Sequence, residues 1–217
     1  MRSYDEYCAI AKSLDVVGDR WTLLIVRELA ERGACRYTDL RNGLPGIASN
    51  LLAERLRDLE HAGVVAREDA PPPIATTLFR LTPRGEQLRP VLDDLVRWGV
   101  PLMIEQNPGD AVRSHWLAAA LESMLIDREP DAPPVTLELQ TGDQPIVIET
   151  RDGRIHTRLG RDENADATLT GPPNPIMGLL LGLLELADAR ARGISYQGDA
   201  SVLERIGAQT ALTAQPS

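Results

Sequence analysis

Aromatic side chains are scarce in this chain: three Trp, four Tyr and one Phe make up 4% of 217 residues. Any core must therefore be filled by aliphatic side chains. Cysteine is scarcer still. Cys8 and Cys35 lie far apart with no CxxC spacing, which argues against a cysteine zinc site or a disulfide framework and predicts reduced thiols. The three histidines, His61, His115 and His156, are isolated from one another and offer no metal-ligand spacing, so no metal or cofactor is expected. Long hydrophobic runs are missing too. The longest, Ile176 to Leu184, is too short to span a bilayer and is closed by Glu185 and Asp188. The polar, acidic start from Met1 to Cys8 does not read as a secretory signal. Together these absences predict a cytoplasmic protein with no membrane partner.

Hydrophobic content of 43% with 25% charged residues fits an ordinary folded protein, and the length allows two modest domains. The net charge of −9 seems to oppose a polyanionic partner, because nucleic-acid affinity rests on cations meeting phosphates. Its distribution removes the objection. Residues 1–105 carry 14 Lys+Arg against 16 Asp+Glu, whereas 106–217 carry 9 against 16. The acidity belongs to the second half, which leaves room for a basic patch on the first.

Apolar residues at three- and four-residue steps mark helices over 8–17 and 21–30, and a third runs from Thr38 to Asn42. Over Ser49 to Ala62, Leu52, Leu56 and Leu59 form one stripe, while Asn50, Ala53, Glu54, Arg57 and His61 face the opposite way. Val64–Arg67 and Leu78–Leu81 then read as a hairpin with a Pro-rich loop, and Thr82-Pro83 opens a further helix reaching Val96. Turn formers at 106–110 predict a hinge between a domain at 1–105 and another at 111–217. The second half reads as a helix over 112–125, strands at 135–140, 145–149, 154–159 and 167–170, an aliphatic helix from Ile176 to Ala191, a strand at 194–197 and a helix over 201–207. The whole is an α+β fold: a winged helix-turn-helix followed by a small sheet with covering helices.

The blocks Leu14-Asp-Val-Val-Gly-Asp-Arg-Trp-Thr-Leu-Leu-Ile-Val-Arg-Glu-Leu29, Arg36-Tyr-Thr-Asp-Leu-Arg41, Leu44-Pro-Gly-Ile-Ala-Ser-Asn-Leu-Leu52, Arg55–Glu60, Ala62–Val65 and Leu81-Thr-Pro-Arg-Gly85 resemble the HxlR family of bacterial transcriptional regulators. The resemblance covers residues 8 to 100. It implies a homodimer, with the first and last helices of the domain packing across a two-fold axis and each recognition helix entering one half-site of a pseudo-palindromic operator. Mapped onto this sequence, it gives Ser49, Asn50 and Arg57 groove or backbone contacts, Arg36, Tyr37 and Thr38 phosphate contacts, and Arg80 with the loop before it the wing. Asn reads adenine and Arg reads guanine bidentately, which makes Asn50 and Arg57 the direct-readout candidates. The bland alternatives are a Ser49 that only caps its helix, an Arg57 paired with Glu54 or Glu60, and an Arg55 paired with an acidic neighbour. Some members sense oxidants through a cysteine near the N-terminus. Here Asp5 and Glu6 flank Cys8, an acidic setting that suits a structural thiol better than a reactive one.

The second half resembles the sterol carrier protein type two fold in its element order and in the phrases Asp152-Gly153, Asp166-Ala-Thr-Leu-Thr170 and Gly193-Ile-Ser-Tyr-Gln-Gly-Asp-Ala-Ser-Val-Leu-Glu-Arg-Ile206. That likeness implies an apolar cavity for a hydrophobic small-molecule effector, lined by Trp116, Leu121, Met124 and Leu125 and by Ile176, Met177, Leu180, Leu181 and Leu184. Plain core packing is the competing reading of each of these residues. Catalysis finds no constellation. Gly193–Gly198 is one residue too long for a nucleophile elbow, and Asp162–Asp166 begins like a calcium loop but has Ala167 where the turn Gly belongs. The expected function is therefore a non-enzymatic, ligand-responsive regulator binding double-stranded DNA. The alternative is a lipid or hydrophobic-metabolite carrier whose winged helix serves dimerisation.

Overall fold

The structure is a computed structural model that describes residues 3–69, 76–103 and 109–208. Two compact units divide between Asp94 and Leu95.

The first unit runs α1 (Ala9–Val17), α2 (Thr22–Arg32), β1 (Cys35–Arg36), α3 (Tyr37–Gly43), α4 (Ser49–His61), β2 (Val65–Asp69), β3 (Thr77–Leu81), α5 (Pro83–Glu86) and the start of α6 (Arg89–Gly99). Its antiparallel sheet has the order β1-β3-β2, with Arg67 opposite Phe79 and Cys35 on Phe79's other side. The leucine stripe of α4 meets Ile25, Val26 and Leu29 of α2, Leu40 and Leu44, and Phe79 and Leu81 of the hairpin in one aliphatic core. Each such buried side chain contributes on the order of 2 kcal/mol from area removed from water. The two-residue strand β1 had no sequence signal, since a pair of residues is too short to show periodicity. Thr82 caps α5 by accepting from the Gly85 N–H at 3.1 Å and donates to the Gly63 carbonyl, pinning the end of the hairpin to the end of α4. The helix expected to run unbroken from Thr82 to Val96 is two helices. Its interruption at Gln87 and Leu88 places Pro90 in the first turn of α6, where its missing N–H leaves no helical bond unmade.

The second unit continues through a 3-10 turn (Val100–Met103), α7 (Ser114–Met124), β4 (Leu125–Asp127), β5 (Thr136–Gln140), β6 (Ile146–Arg151), β7 (Arg154–Leu159), β8 (Ala167–Thr170), α8 (Pro173–Leu180), α9 (Leu186–Ala191), β9 (Ser195–Gly198), α10 (Ser201–Arg205) and β10 (Ile206–Ala208). A five-stranded sheet has the order β7-β6-β5-β8-β9, with β5 and β8 parallel and every other pair antiparallel. Asp152 and Gly153 both adopt positive φ, 54° and 69°, as a tight hairpin of this hand requires. The register puts Leu137, Leu139, Ile146, Ile148 and Leu169 on one sheet face, where they share a core with α7 and α8. Thr136, Gln140, Thr168 and Thr170 lie on the other face.

Three expectations change here. The division between units falls about a dozen residues before the predicted hinge at 106–110, of which 104–108 lie outside the described residues. Leu88 and Leu92 pack with the first core and Val96 and Val100 with the second, and no change in composition marks the point between them. The aliphatic helix expected over Ile176–Ala191 is broken after Leu180. Gly182 takes φ +71°, and the N–H groups of Leu183 and Leu184 turn back to the Gly178 carbonyl, so α8 stops and α9 starts afresh at Leu186. Finally, the ends of the two helices expected over 112–125 and 201–207 leave helical geometry to pair as β4 and β10, with Ile206 opposite Asp127. That pairing is fastened by a buried ion pair: Arg205 Nε lies 2.7 Å and Nη2 2.9 Å from the Asp127 carboxylate. Their side chains are 6% and 1% exposed. The same guanidinium donates to the carbonyls of Ala132 and Pro133. Hydrogen bonding from Arg205 holds the Asp127 carboxyl below the ordinary range against the opposing effect of burial.

Candidate nucleic-acid interface

Helix α4 is positioned by its own stripe: Leu52, Leu56 and Leu59 are each at most 2% exposed. With that face fixed, Ser49, Asn50, Glu54, Arg57 and His61 are left in solvent. The turn before it is equally defined. Tyr37, at the start of α3, donates its hydroxyl to the Ser49 carbonyl at 2.6 Å, tying the two helices of the motif together. The Arg36 N–H donates to the Asp39 carboxylate at 3.0 Å, which satisfies a free donor at the start of α3. Helix α3 therefore begins one residue before Thr38, leaving the Thr38 side chain exposed. Helix α4 likewise begins at Ser49 with Ala48 as its cap residue, and no side chain caps it. The reading of Ser49 as a simple N-cap falls, because its hydroxyl lies inside the first turn.

The arginines separate into two kinds. Arg55 turns back from α4 and binds three carboxylates, Asp19, Glu54 and Asp58, at 14% side-chain exposure. It ties α4 to the loop before α2. Arg57 is exposed, and its Nε donates to the Ala53 carbonyl one turn back at 3.2 Å, with no carboxylate among the described residues within ion-pair distance. The pairing of Arg57 with Glu54 or Glu60 is thus not made: Glu54 takes Arg55, and Glu60 lies 3.7 Å from Arg67. On the hairpin, exposed Arg80 pairs with Glu68 at 3.1 Å. The loop expected to extend the wing falls largely on residues 70–75, outside the described residues. Arg36, Thr38, Ser49, Asn50, Arg57 and Arg80 are all exposed and Tyr37 half-buried. Cys8 is exposed, whereas Cys35 is buried and its thiol is pushed up by that burial.

In the second unit, Leu121, Met124, Leu125, Ile176, Met177, Leu180 and Leu181 are packed in the core at 8% exposure or less. Met177 and Leu181 border a void of only about 20 Å³. Leu180 and Leu184 line a larger cleft, and Trp116 is half-buried. Sequence reasoning missed the cleft's other walls because β9, α10 and β10 supply them. Its one signal was Gly182, set inside an apolar run.

A helix pair joined by a tight turn, with the second helix presenting a polar face beside a two-stranded wing, defines a winged helix-turn-helix, the architecture of a DNA-binding transcriptional regulator. The chain belongs to the HxlR-like helix-turn-helix family, whose sequence profile matches residues 16–107. It is 34% identical over 87 residues to the HTH-type transcriptional regulator YvaP of Bacillus subtilis, spanning 40% of this chain and 80% of YvaP. An HTH-type transcriptional regulator of Methanothermobacter thermautotrophicus is 31% identical over 96 residues, 44% of this chain and 72% of that protein. Among solved structures, the reduced form of the regulator YodB from B. subtilis aligns at 29% identity with a TM-score of 0.40, covering 48% of this chain and 100% of that one. These relatives are transcriptional regulators and not enzymes. No described helix is long and apolar enough to cross a membrane.

Proposed function

We propose that the protein is a homodimeric, sequence-specific regulator that reads a pseudo-palindromic operator through α4 and responds to a hydrophobic small molecule held by its second unit. The observation that carries the DNA reading is the polar face of α4. Asn50 and Arg57 stand in solvent on a helix whose opposite face is locked, and Arg57 has no carboxylate neighbour among the described residues. Asn50 and Arg57 read bases; Ser49, Arg36 and Thr38 contact phosphates, while Tyr37 acts on the same surface by holding the start of α4 through its hydroxyl; Arg80 serves the wing. Dimerisation is supported by apolar side chains left in water: Tyr7, Ile10 (71% exposed) and Leu14 on and before α1, and Val91, Leu95 and Trp98 (73%) on α6. Solvent-facing Ile and Trp in repeated helical steps mark a surface that another chain covers.

The effector reading rests on the resemblance of the second unit's sequence to the sterol carrier protein type two fold and on the cleft beside α8. A regulator of this kind requires that the effector bind the DNA-free and DNA-bound states unequally. The test is fluorescence anisotropy with labelled duplexes tiling the DNA upstream of the protein's own gene, with sedimentation of the free protein. Saturable binding to one duplex at two chains per site, weakened by Asn50→Ala, is expected. Equal affinity for all duplexes would remove sequence-specific reading.

A further inference from the structure

The break after Leu180 has a consequence beyond the fold. Because α8 stops there and α9 restarts at Leu186, the chain opens a cleft of about 580 Å³, within the size range of small-molecule sites. Leu180 and Leu184 form one apolar wall; Tyr196, Leu203 and Ile206 form the other. The Tyr196 hydroxyl is tied to the Asp199 carbonyl, so its ring is fixed and presents an apolar surface to the cleft.

At the side of this cleft lies Arg128, and its setting is the informative part. Nη1 donates to the Glu204 carbonyl at 3.0 Å, and the guanidinium lies over Gly207 of β10 so closely that a Cβ there would overlap it. The backbone thus seats the guanidinium, yet no carboxylate among the described residues lies within ion-pair distance of it. A guanidinium offers five N–H donors in a flat fork that matches a carboxylate or another planar or tetrahedral oxyanion. Arg190, in the last turn of α9, lines the same cleft and adds a second cation. Glu185 and Glu204 also border it, but no hydrogen bond fixes either carboxylate among the described residues.

We infer that this cleft is the effector site and that its ligand is an amphipathic anion: an apolar body against Leu180, Leu184, Tyr196 and Leu203, with one acidic group on Arg128. The inference rests on the effector reading proposed above and adds the place and the chemical class.

The test uses the full-length protein without DNA and 1-anilinonaphthalene-8-sulfonate, an apolar anion, as the fluorescent probe. Dodecanoate should displace the probe at least tenfold more effectively than dodecanol. Arg128→Gln should remove most of that preference while leaving dodecanol competition within twofold. Ala200→Trp, at an exposed position on the cleft wall, should abolish displaceable probe binding while thermal unfolding stays cooperative. Wild-type binding by Ala200→Trp would overturn the site, and equal competition by dodecanoate and dodecanol would overturn the ligand class. The regulatory reading fails separately: if the probe site behaves as described but saturating dodecanoate leaves duplex affinity unchanged, the cleft stands and its coupling to DNA falls.

Discussion

The two units solve the same problem, an aliphatic core with few aromatics, but differ in how far they enclose their ion pairs. In the first, every described pair keeps at least one partner in touch with water: Glu28 is fully buried but its partners Arg27 and Arg32 are 25% and 35% exposed, Arg55 joins Asp19, which is 56% exposed, and Arg80 and Glu68 are both half or more exposed. In the second, both partners of one pair are enclosed, with Arg205 and Asp127 sealing the β4–β10 junction. Surface pairs in water are weak and leave neighbouring side chains free to bind other things. A buried pair is costly to break, because removing one partner strands the other. The difference fits a first unit built around a solvent-facing reading helix and a second unit built around a fastened junction beside a cleft.

The sharpest way to break that contrast is Asp127→Asn. It should cost about 3–5 kcal/mol at neutral pH in denaturant unfolding, because the Arg205 charge is left buried without a counter-ion. The pH dependence has a definite sign. Asp127 titrates lower folded than unfolded, so its contribution is complete above the ordinary aspartate value of about 4 and is lost as pH falls through the depressed one. The gap between wild type and variant should therefore narrow only in acid, and a gap already closed at pH 6 would contradict the assignment.

Next in size, Asn50→Ala with Arg57→Ala should weaken operator binding by about 2–4 kcal/mol in total, taking ~1–2 kcal/mol for each base contact. Thermal stability should not move, since neither side chain packs in the core. A melting point lowered by several degrees would return Arg57 to a structural role. Arg55→Gln should do the reverse at smaller scale. Its loss costs about 1 kcal/mol of stability through the surface carboxylates it gathers, and affects DNA only through the seating of α4. Thr82→Ala, which removes the cap joining α5 to the end of α4, should cost about 1 kcal/mol and leave operator discrimination intact.

The same contrast explains what could be read from residues alone. In the first unit, polar residues alternate with apolar ones at helical spacing, so α4 and its outward face followed from Leu52, Leu56 and Leu59, and the start of α5 from Thr82-Pro83. In the second unit, Ile176–Leu184 is apolar on every side, and periodicity cannot say where such a run breaks. Gly182 broke it through a positive φ that composition only hints at. The β4–β10 pairing joins residues nearly eighty apart through Arg205 and Asp127, and nothing local to either segment signals that contact. Arg57 and Arg55, two positions apart on one helix, divided by the same logic: their roles depend on whether Asp19, from a distant turn, is within reach.

The central claim, that α4 reads DNA, is tested most directly by measuring affinity for the protein's own upstream duplex across a salt series, for wild type and for the Asn50→Ala, Arg57→Ala protein. The account predicts a steep linear fall of log K with log salt for both, with the variant line displaced to about 100-fold weaker binding. Binding that ignores salt, or two lines that coincide, would contradict it.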